Sequence, residues 1–365
     1  MKRFCGMRLT VLSFAYPYAP VGRGCVGGSE QILTDIDQAL VAAGHNSLVI
    51  ACEGSRPAGK LLSIPRLLRP EDEDARRWCR KQVQACLDRA LEEYHVDLVH
   101  LHGINFHEYN LPLTVPVLVT LHVAFASYPE RIWAGLPPNV QLQCVSETQR
   151  RSCPPELGDV PVIANGVEIP APAEKSGDFA VVLGRICPEK NQHVALEAGS
   201  RAQIPVLLGG QVFPWRHHLA YFDEKIQPLL EHRNCVRHKF CGPLSPERKQ
   251  RLLAQARCLL HPTIAPETSS LVAMEALAAG TPVIAYPSGA LPEIVEDGVT
   301  GFLVNSVESM AAAIRRIDAI RPEVCREAAA ARFSKARMIR QYFELYRTLV
   351  ANASGHAEAQ RSLYA

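Results

Sequence analysis

Apolar positions along this chain come in two rhythms. Short, almost unbroken apolar runs recur from end to end, and between them lie longer stretches in which apolar residues return every third or fourth position. The first rhythm predicts strands buried on both faces, the second amphipathic helices. The strands expected on this basis are 9–15, 47–52, 98–101, 117–121 and 141–145 in the first half, and 180–183, 206–208, 236–240, 258–261, 283–285 and 302–304 in the second. Such alternation means βα units: an α/β fold of two doubly wound domains with parallel sheets. Ligands then belong at the carboxyl ends of the strands, in a cleft between the domains.

One helix departs from its rhythm. Residues 271–279 follow Thr268, Ser269 and Ser270, whose hydroxyls suit an N-cap, and precede Gly280 and Pro282, which stop a helix. Leu271, Met274, Glu275 and Ala278 share one stripe, so a carboxylate sits where core is expected. An ion pair would account for Glu275. A ligand would do so as well, and Glu267 favours that reading, because it stands just before the helix start, where open α/β folds meet their ligands.

A chain of 365 residues is too long for one ordinary core. The pattern divides it into a first domain, 1–163, a linker, 164–178, with Pro170 and Pro172, and a second domain, 179–333. A C-terminal helix, 334–350, is expected to pack back on the first domain, and 351–365 to fray. Net charge is +2, with both signs mixed along the chain, which gives no case for a nucleic-acid partner. The twelve cysteines are scattered singly, with no Cys-x-x-Cys pair and no Cys/His cluster at zinc spacing. Neither a metal nor disulfides are therefore expected, and reduced cysteines point to the cytoplasm. The N-terminal apolar run is short and interrupted by Arg8, so it reads as a strand rather than a signal peptide, and no run of about twenty apolar residues would span a membrane.

Three loops carry candidate chemistry. In "GRGCVGG", Gly22, Gly24 and Gly27 match the G-x-G-x-x-G dinucleotide pattern, but "YPYAPV" separates them from the strand and Glu53 lies too far on to be the ribose acid. What survives is Gly27 and Gly28 before a helix, with N–H groups facing a phosphate or simply a surface loop. In "VVLGRICPEKN", Arg185 and Lys190 follow a strand end, two cations suited to a diphosphate. In the strip around Glu267, the backbone N–H groups of Ser269, Ser270 and Leu271 offer donors to an anion or to hydroxyls.

Together with "VDLVHLHG", "VLVTLHV", "CVSETQRR", "IANGV", "EALAAGTPVIA", "GALPEIVEDG" and "TGFLV", in that order, these motifs resemble the family 4 glycosyltransferases, retaining enzymes of the GT-B fold with a Glu-x7-Glu motif. The resemblance implies two Rossmann-like domains facing a central cleft. It implies transfer of a sugar from a nucleoside-diphosphate sugar to an acceptor hydroxyl with retention, and no cofactor beyond that donor. Carried over residue by residue, Glu275 would hold the ribose, Glu267 contact the donor sugar, and Arg185 and Lys190 neutralise the diphosphate. Gly27 and Gly28 would line the cleft from the other domain, and His122 would stand beside the transferring sugar, where a core histidine is the alternative. His100 and His102 would shape the acceptor side, and Asn165 and Gly166 would form a hinge. One departure is "TSS", Thr268 to Ser270, where the family often has Gly-Phe-Gly; hydroxyls then replace close backbone contacts to the sugar.

Metal-independent transfer is expected because no Asp-x-Asp pair stands in a suitable loop. The expected acceptor is a glycan, a lipid-linked or a small molecule. Rival readings are a nucleotide-sugar epimerase, a non-catalytic sugar-nucleotide-binding protein and a nicotinamide oxidoreductase. Finally, "SRPAGKLLSIPRLLRP" sets Arg56, Lys60, Arg66 and Arg69 among Leu61, Leu62, Leu67 and Leu68, either a peripheral contact with the inner face of a membrane or, given its prolines, a mobile surface loop.

Overall fold

The computed structural model describes residues 8–25, 27–67, 72–173, 177–231 and 236–363, with side chains to residue 355. The chain forms two compact units. One comprises residues up to Val145, 149–164 and from Met338 onward; the other comprises Ser146–Thr148 and Asn165–Arg337.

The first unit is built on a parallel sheet of β1 (Thr10–Phe14), β2 (Asn46–Cys52), β3 (Lys60–Ile64), β4 (Leu98–Leu101), β5 (Val117–Leu121) and β6 (Val140–Cys144), in the order β3-β2-β1-β4-β5-β6. The period of two in β2 decides which residue serves which side. Leu48, Ile50 and Cys52 join the main core with Leu12, Phe14 and Val99, while Val49 and Ala51 face a smaller cluster with Val21 and Leu33. Both faces are covered, which is why the run reads as continuously apolar.

The second unit repeats the plan. Strands β7 (Ala180–Leu183), β8 (Val206–Gly209), β9 (Lys239–Gly242), β10 (Cys258–His261), β11 (Val283–Ala285) and β12 (Gly301–Leu303) lie in the order β12-β11-β10-β7-β8-β9, all parallel. In both sheets the order reverses between the first strand and the fourth, β1 beside β4 and β7 beside β10. Crevices for ligands open at such points, beyond the carboxyl ends of the strands.

Several expectations are corrected. The segment taken for a membrane patch or mobile loop contains β3, paired in register with β2 from Leu48↔Lys60 to Cys52↔Ile64. Two of its prolines, Pro57 and Pro65, flank the strand and remove no ladder hydrogen bond, and Pro70 lies outside the described residues. Leu61, Leu62 and Leu67 pack on the two clusters rather than facing out together, while Leu68 and Arg69 lie outside the described residues. Strand β9 begins at Lys239, later than the expected 236.

The linker region, of which 174–176 lie outside the described residues, is partly built into the second unit: Val167 is buried in its core and bonds across to Phe333 and Lys335. That bridge holds Ser334 extended and breaks the C-terminal segment into two helices, Pro322–Phe333 and Lys335–Leu363. The second helix continues past Val350 through the segment expected to fray. Alanines at 351, 353, 357 and 359 favour helix, and Gly355 alone opposes it. No helix among the described residues is long and apolar enough to cross a membrane.

Candidate functional site

At the β7/β10 crevice, two loops bring distant residues together. Beyond β7, Gly184 sits at φ +141°, and a side chain on Gly210 would strike its carbonyl, so the ends of β7 and β8 meet backbone to backbone. Arg185 is exposed, its guanidinium 5.9 Å from the centre of the Trp215 ring, and its carbonyl accepts from Gln192 Nε2 at 2.7 Å. A single 3-10 turn, Pro188–Lys190, then ends at Asn191 in the left-handed region, φ 56°. The Glu189 carbonyl accepts from Ile264 N at 3.0 Å and Thr263 Oγ1 at 3.1 Å, which ties this loop to the one after β10.

The tie places Lys190 Nζ against Glu267 Oε1, across 77 residues of sequence. The same oxygen lies 3.4 Å from His261 Nε2, at the end of β10. Burial opposes charge on Glu267, but the His261 hydrogen bond and the Lys190 ammonium outweigh it and hold the carboxyl at about 2. A buried anion is thereby fixed beside a cation. Gly289, at φ +61°, completes the frame: any side chain there would overlap the Glu267 backbone, whose carbonyl accepts from Ala290 N at 2.7 Å.

The helix Leu271–Ala278 starts at Ser270, but contrary to expectation Ser270 makes no side-chain cap and faces His261 Nε2 at 3.3 Å. The Ser269 hydroxyl is buried without a partner, and the N–H groups of Ser269, Ser270 and Leu271 find none among the described residues. One turn further, Glu275 meets Lys249 Nζ at 2.6 Å, from the neighbouring helix Pro246–Gln255. The ion-pair alternative for Glu275 is therefore realised, whatever else the carboxylate binds. Lys190, Glu267 and Ser270 converge through His261, which the sequence reading passed over. Its place at a strand end beyond a buried run was the available sign.

The Gly-rich loop of the first unit does not present an open helix start. Gly27 is the N-cap of the helix Gly28–Ala42, and a side chain on it would collide with the carboxylate of Glu30, which is buried and accepts from Ser29 Oγ at 3.0 Å. Burial raises that carboxyl. Gly22 is structural, its N–H bonded to Thr34 Oγ1 and its α-carbon pressed on the Arg56 backbone.

His122, half-buried beyond β5, ends a hydrogen-bonded array. Its Nε2 lies 3.0 Å from His102 Nδ1, His102 Nε2 lies 3.2 Å from His100 Nδ1, and His100 Nε2 lies 2.8 Å from Thr120 Oγ1. Thr120 donates to Gln143 Oε1 at 2.8 Å, as does Tyr342 at 2.9 Å, and Tyr346 Oη stands 2.7 Å from His100 Nδ1. Burial holds His122 down at about 4 and His100 and His102 well below the usual histidine value, so all three rings are neutral at pH 7.

The protons can then be assigned. Gln143 Nε2 donates to the Cys144 and Ile163 carbonyls, which turns Oε1 toward the hydroxyls. Oε1 only accepts, so Thr120 donates to it and takes the His100 Nε2 proton. His100 Nδ1 is therefore the acceptor of that ring, facing Tyr346 Oη at 2.7 Å and His102 Nε2 at 3.2 Å.

Among the described residues one trio of metal-binding types meets, Cys187, Glu189 and His218, with ligand atoms within 4.8 Å of one another. Burial raises the Cys187 thiol, which donates to the Arg185 carbonyl at 3.6 Å.

Residues 26–169 match the Glycosyltransferase Family 4 domain, and 169–332 match the domain of the Glycosyl transferases group 1. By domain family, the chain is built of two glycosyltransferase domains. This glycosyltransferase is 34% identical to the D-inositol 3-phosphate glycosyltransferase of Mycobacterium leprae over 129 residues, 35% of its own length and 29% of the relative's. The matched stretch thus spans under a third of that relative. Solved structures extend the likeness to the whole fold. Sucrose-phosphate synthase of Thermosynechococcus elongatus matches with a TM-score of 0.75 over 94% of this chain and 100% of that one, at 20% identity. Anabaena HepE, solved with UDP and glucose, gives 0.72 over 93% and 100%, at 18% identity. The glycosyltransferase has the two-domain α/β GT-B fold.

Proposed function

We propose that the chain is a retaining, metal-independent transferase that moves a sugar from a nucleoside-diphosphate sugar to an acceptor hydroxyl. The observation that carries this reading is the Lys190–Glu267–His261 cluster at the carboxyl ends of β7 and β10. Lys190 has further donors beyond the one given to Glu267, and with Arg185 it meets the diphosphate. Glu267, kept ionised, faces the donor sugar, where it accepts from hydroxyls and favours positive charge developing at the anomeric carbon. The Ser269 hydroxyl and the N–H groups before the helix Leu271–Ala278 supply the remaining donors. Glu275, positioned by Lys249, takes the ribose.

In the reaction, the bond from the anomeric carbon to the diphosphate oxygen breaks as the acceptor oxygen bonds the same face of that carbon. The acceptor proton passes to the departing phosphate oxygen. Charge on the leaving group is met by Arg185 and Lys190. His122, at the end of the histidine array, orients a hydroxyl of the transferring sugar. The two Asp-x-Asp pairs in the sequence are engaged elsewhere: Asp37 accepts from Ser47, Ala58 and Gly59, and Asp72 caps the helix Glu73–Glu93. The domain families do not favour an epimerase.

HepE was solved with UDP and glucose, so UDP-sugars are the first donors to try. Nucleoside diphosphate release, with and without an acceptor panel, tests transfer, and the anomeric coupling of the product tests retention. Activity is expected to survive chelator. Complete loss in chelator, restored only by a divalent ion, overturns the metal-free account.

A further inference from the structure

The first sheet has its own crevice, at the carboxyl ends of β1 and β4. There a cavity of about 500 Å³ is lined by residues that follow those strands and by one face of the helix Glu73–Glu93. Its volume is that of a small-molecule site.

Charge in it is balanced. Arg76 meets Glu73 at 2.7 Å, and Arg80 meets Glu73 at 3.1 Å and Glu108 at 3.5 Å. Two guanidinium groups and two carboxylates satisfy one another, so an anion entering the cavity would have to displace a glutamate. The hydrogen-bonding capacity, in contrast, is incomplete. Asn105 is 8% exposed, and its amide donates to Tyr109 Oη at 2.7 Å and Glu108 Oε2 at 3.3 Å. Its Oδ1 is buried without a partner, and so is Arg76 Nε. One acceptor and one donor are therefore unused. A buried polar group without a partner is unfavourable, so both are open to a ligand.

Gly103 leaves room for the amide, since a side chain there would lie 2.9 Å from Asn105 Oδ1. Tyr16 and Tyr18 stack edge to face at 4.9 Å and add an aromatic wall with two hydroxyls. Burial raises both phenols, Tyr18 to about 12, so they stay protonated and able to donate. A wall of ring faces, with donors and acceptors but no net charge, suits C–H patches interleaved with hydroxyls.

We infer that this cavity is the acceptor subsite and that its occupant is an uncharged polyhydroxylated ring, a neutral sugar or cyclitol, arriving free or at the end of a glycan. The inference rests on the transfer reading above and narrows it. The relatives named for inositol 3-phosphate act on a charged acceptor by their name; the balanced charge here selects a neutral one.

The test is saturation-transfer NMR on the full chain without donor, using glucose, myo-inositol and maltotriose against glucose 6-phosphate and inositol phosphate. Neutral rings should bind at least about tenfold more tightly than their phosphorylated counterparts, and the choice between single rings and maltotriose tells free acceptors from chain ends. Asn105→Ala and Tyr18→Phe should each weaken neutral binding severalfold with unchanged thermal unfolding. Glu73→Gln gives a gain that a misfolded variant cannot imitate: phosphorylated ligands should approach neutral ones in affinity. Preference of the unaltered chain for phosphorylated rings, failure of all neutral rings to bind, or indifference to Asn105→Ala and Glu73→Gln would overturn the inference. Neutral binding without transfer from any nucleotide sugar would sink the transfer reading and leave the cavity's specificity standing.

Discussion

Beyond β7 and β10 the loops present Arg185, Lys190 and an ionised Glu267; beyond β1 and β4, the matching place in the other sheet, they present tyrosines, an amide and two arginines cancelled by two glutamates. The strand order is the same in both. What differs is what the loops carry, and on the readings proposed above the difference divides labour by charge: one crevice takes the diphosphate, the other a neutral ring. The sheet supplies the position and the loop residue supplies the chemistry.

The comparison breaks most sharply at Lys190. Lys190→Ala should lower kcat by about 100- to 1,000-fold, the usual cost of one group that meets developing charge. Binding of neutral rings in the first unit should not change. Loss of both would mean that the crevices are not independent.

Next comes Glu267. Its carboxyl falls from 4.5 to about 2 on folding, so its contribution is fully present above 4.5 and is lost as pH falls toward 2. The amount is on the order of 3 kcal/mol, at about 1.4 kcal/mol per unit. The histidines have lowered values and also cost stability as pH falls below their ordinary 6.5. Urea unfolding of the native chain beside Glu267→Gln separates the two, because the variant should keep the histidine slope and lose the steeper one below 4.5. Equal slopes would show that Glu267 carries no such charge in the fold.

Gly289→Ala probes the frame of the same crevice. A left-handed backbone and the overlap with Glu267 should cost about 1–3 kcal/mol, seen as a lower unfolding temperature together with a higher donor KM. A smaller effect is expected at Gln143. With Gln143→Leu the hydroxyls lose the acceptor that orders the histidine protons, and kcat should fall about tenfold, near 1.4 kcal/mol, with donor KM unchanged. The smallest effect is a negative one. From pH 5.5 to 8 the rate should show no step near 6.5, since His122 titrates at about 4; a step there would mean that the ring is solvated and outside the array.

Strands and sheet class were legible because a strand covered on both faces writes an unbroken apolar run, as in 48–52 and 180–183. Strand β3 escaped because an edge strand of mixed character, "KLLSI", between two prolines looks like a loop until its neighbour is known. Within the site, the order of motifs pointed to Arg185, Lys190 and Glu267, but their chemistry depends on a pairing across 77 residues that no local pattern contains. At Gly27 the glycine pattern is silent about Glu30, three residues on, whose carboxylate lies against it. No local pattern joins Arg80 to Glu108, 28 residues on; only the fold brings them together.

The phenols of Tyr342 and Tyr346 bear on how the protein is made. Synthesis must run 199 residues beyond Gln143 before Tyr342 exists to bond it, and 246 beyond His100 before Tyr346 does. A nascent chain can therefore assemble the first sheet early, yet hold its histidines without their closing partners until translation is almost done. A chain cut short before residue 342 would keep its strands and lose the order of its protons. Solubility would then be a poor guide to whether a truncated product is fit to work.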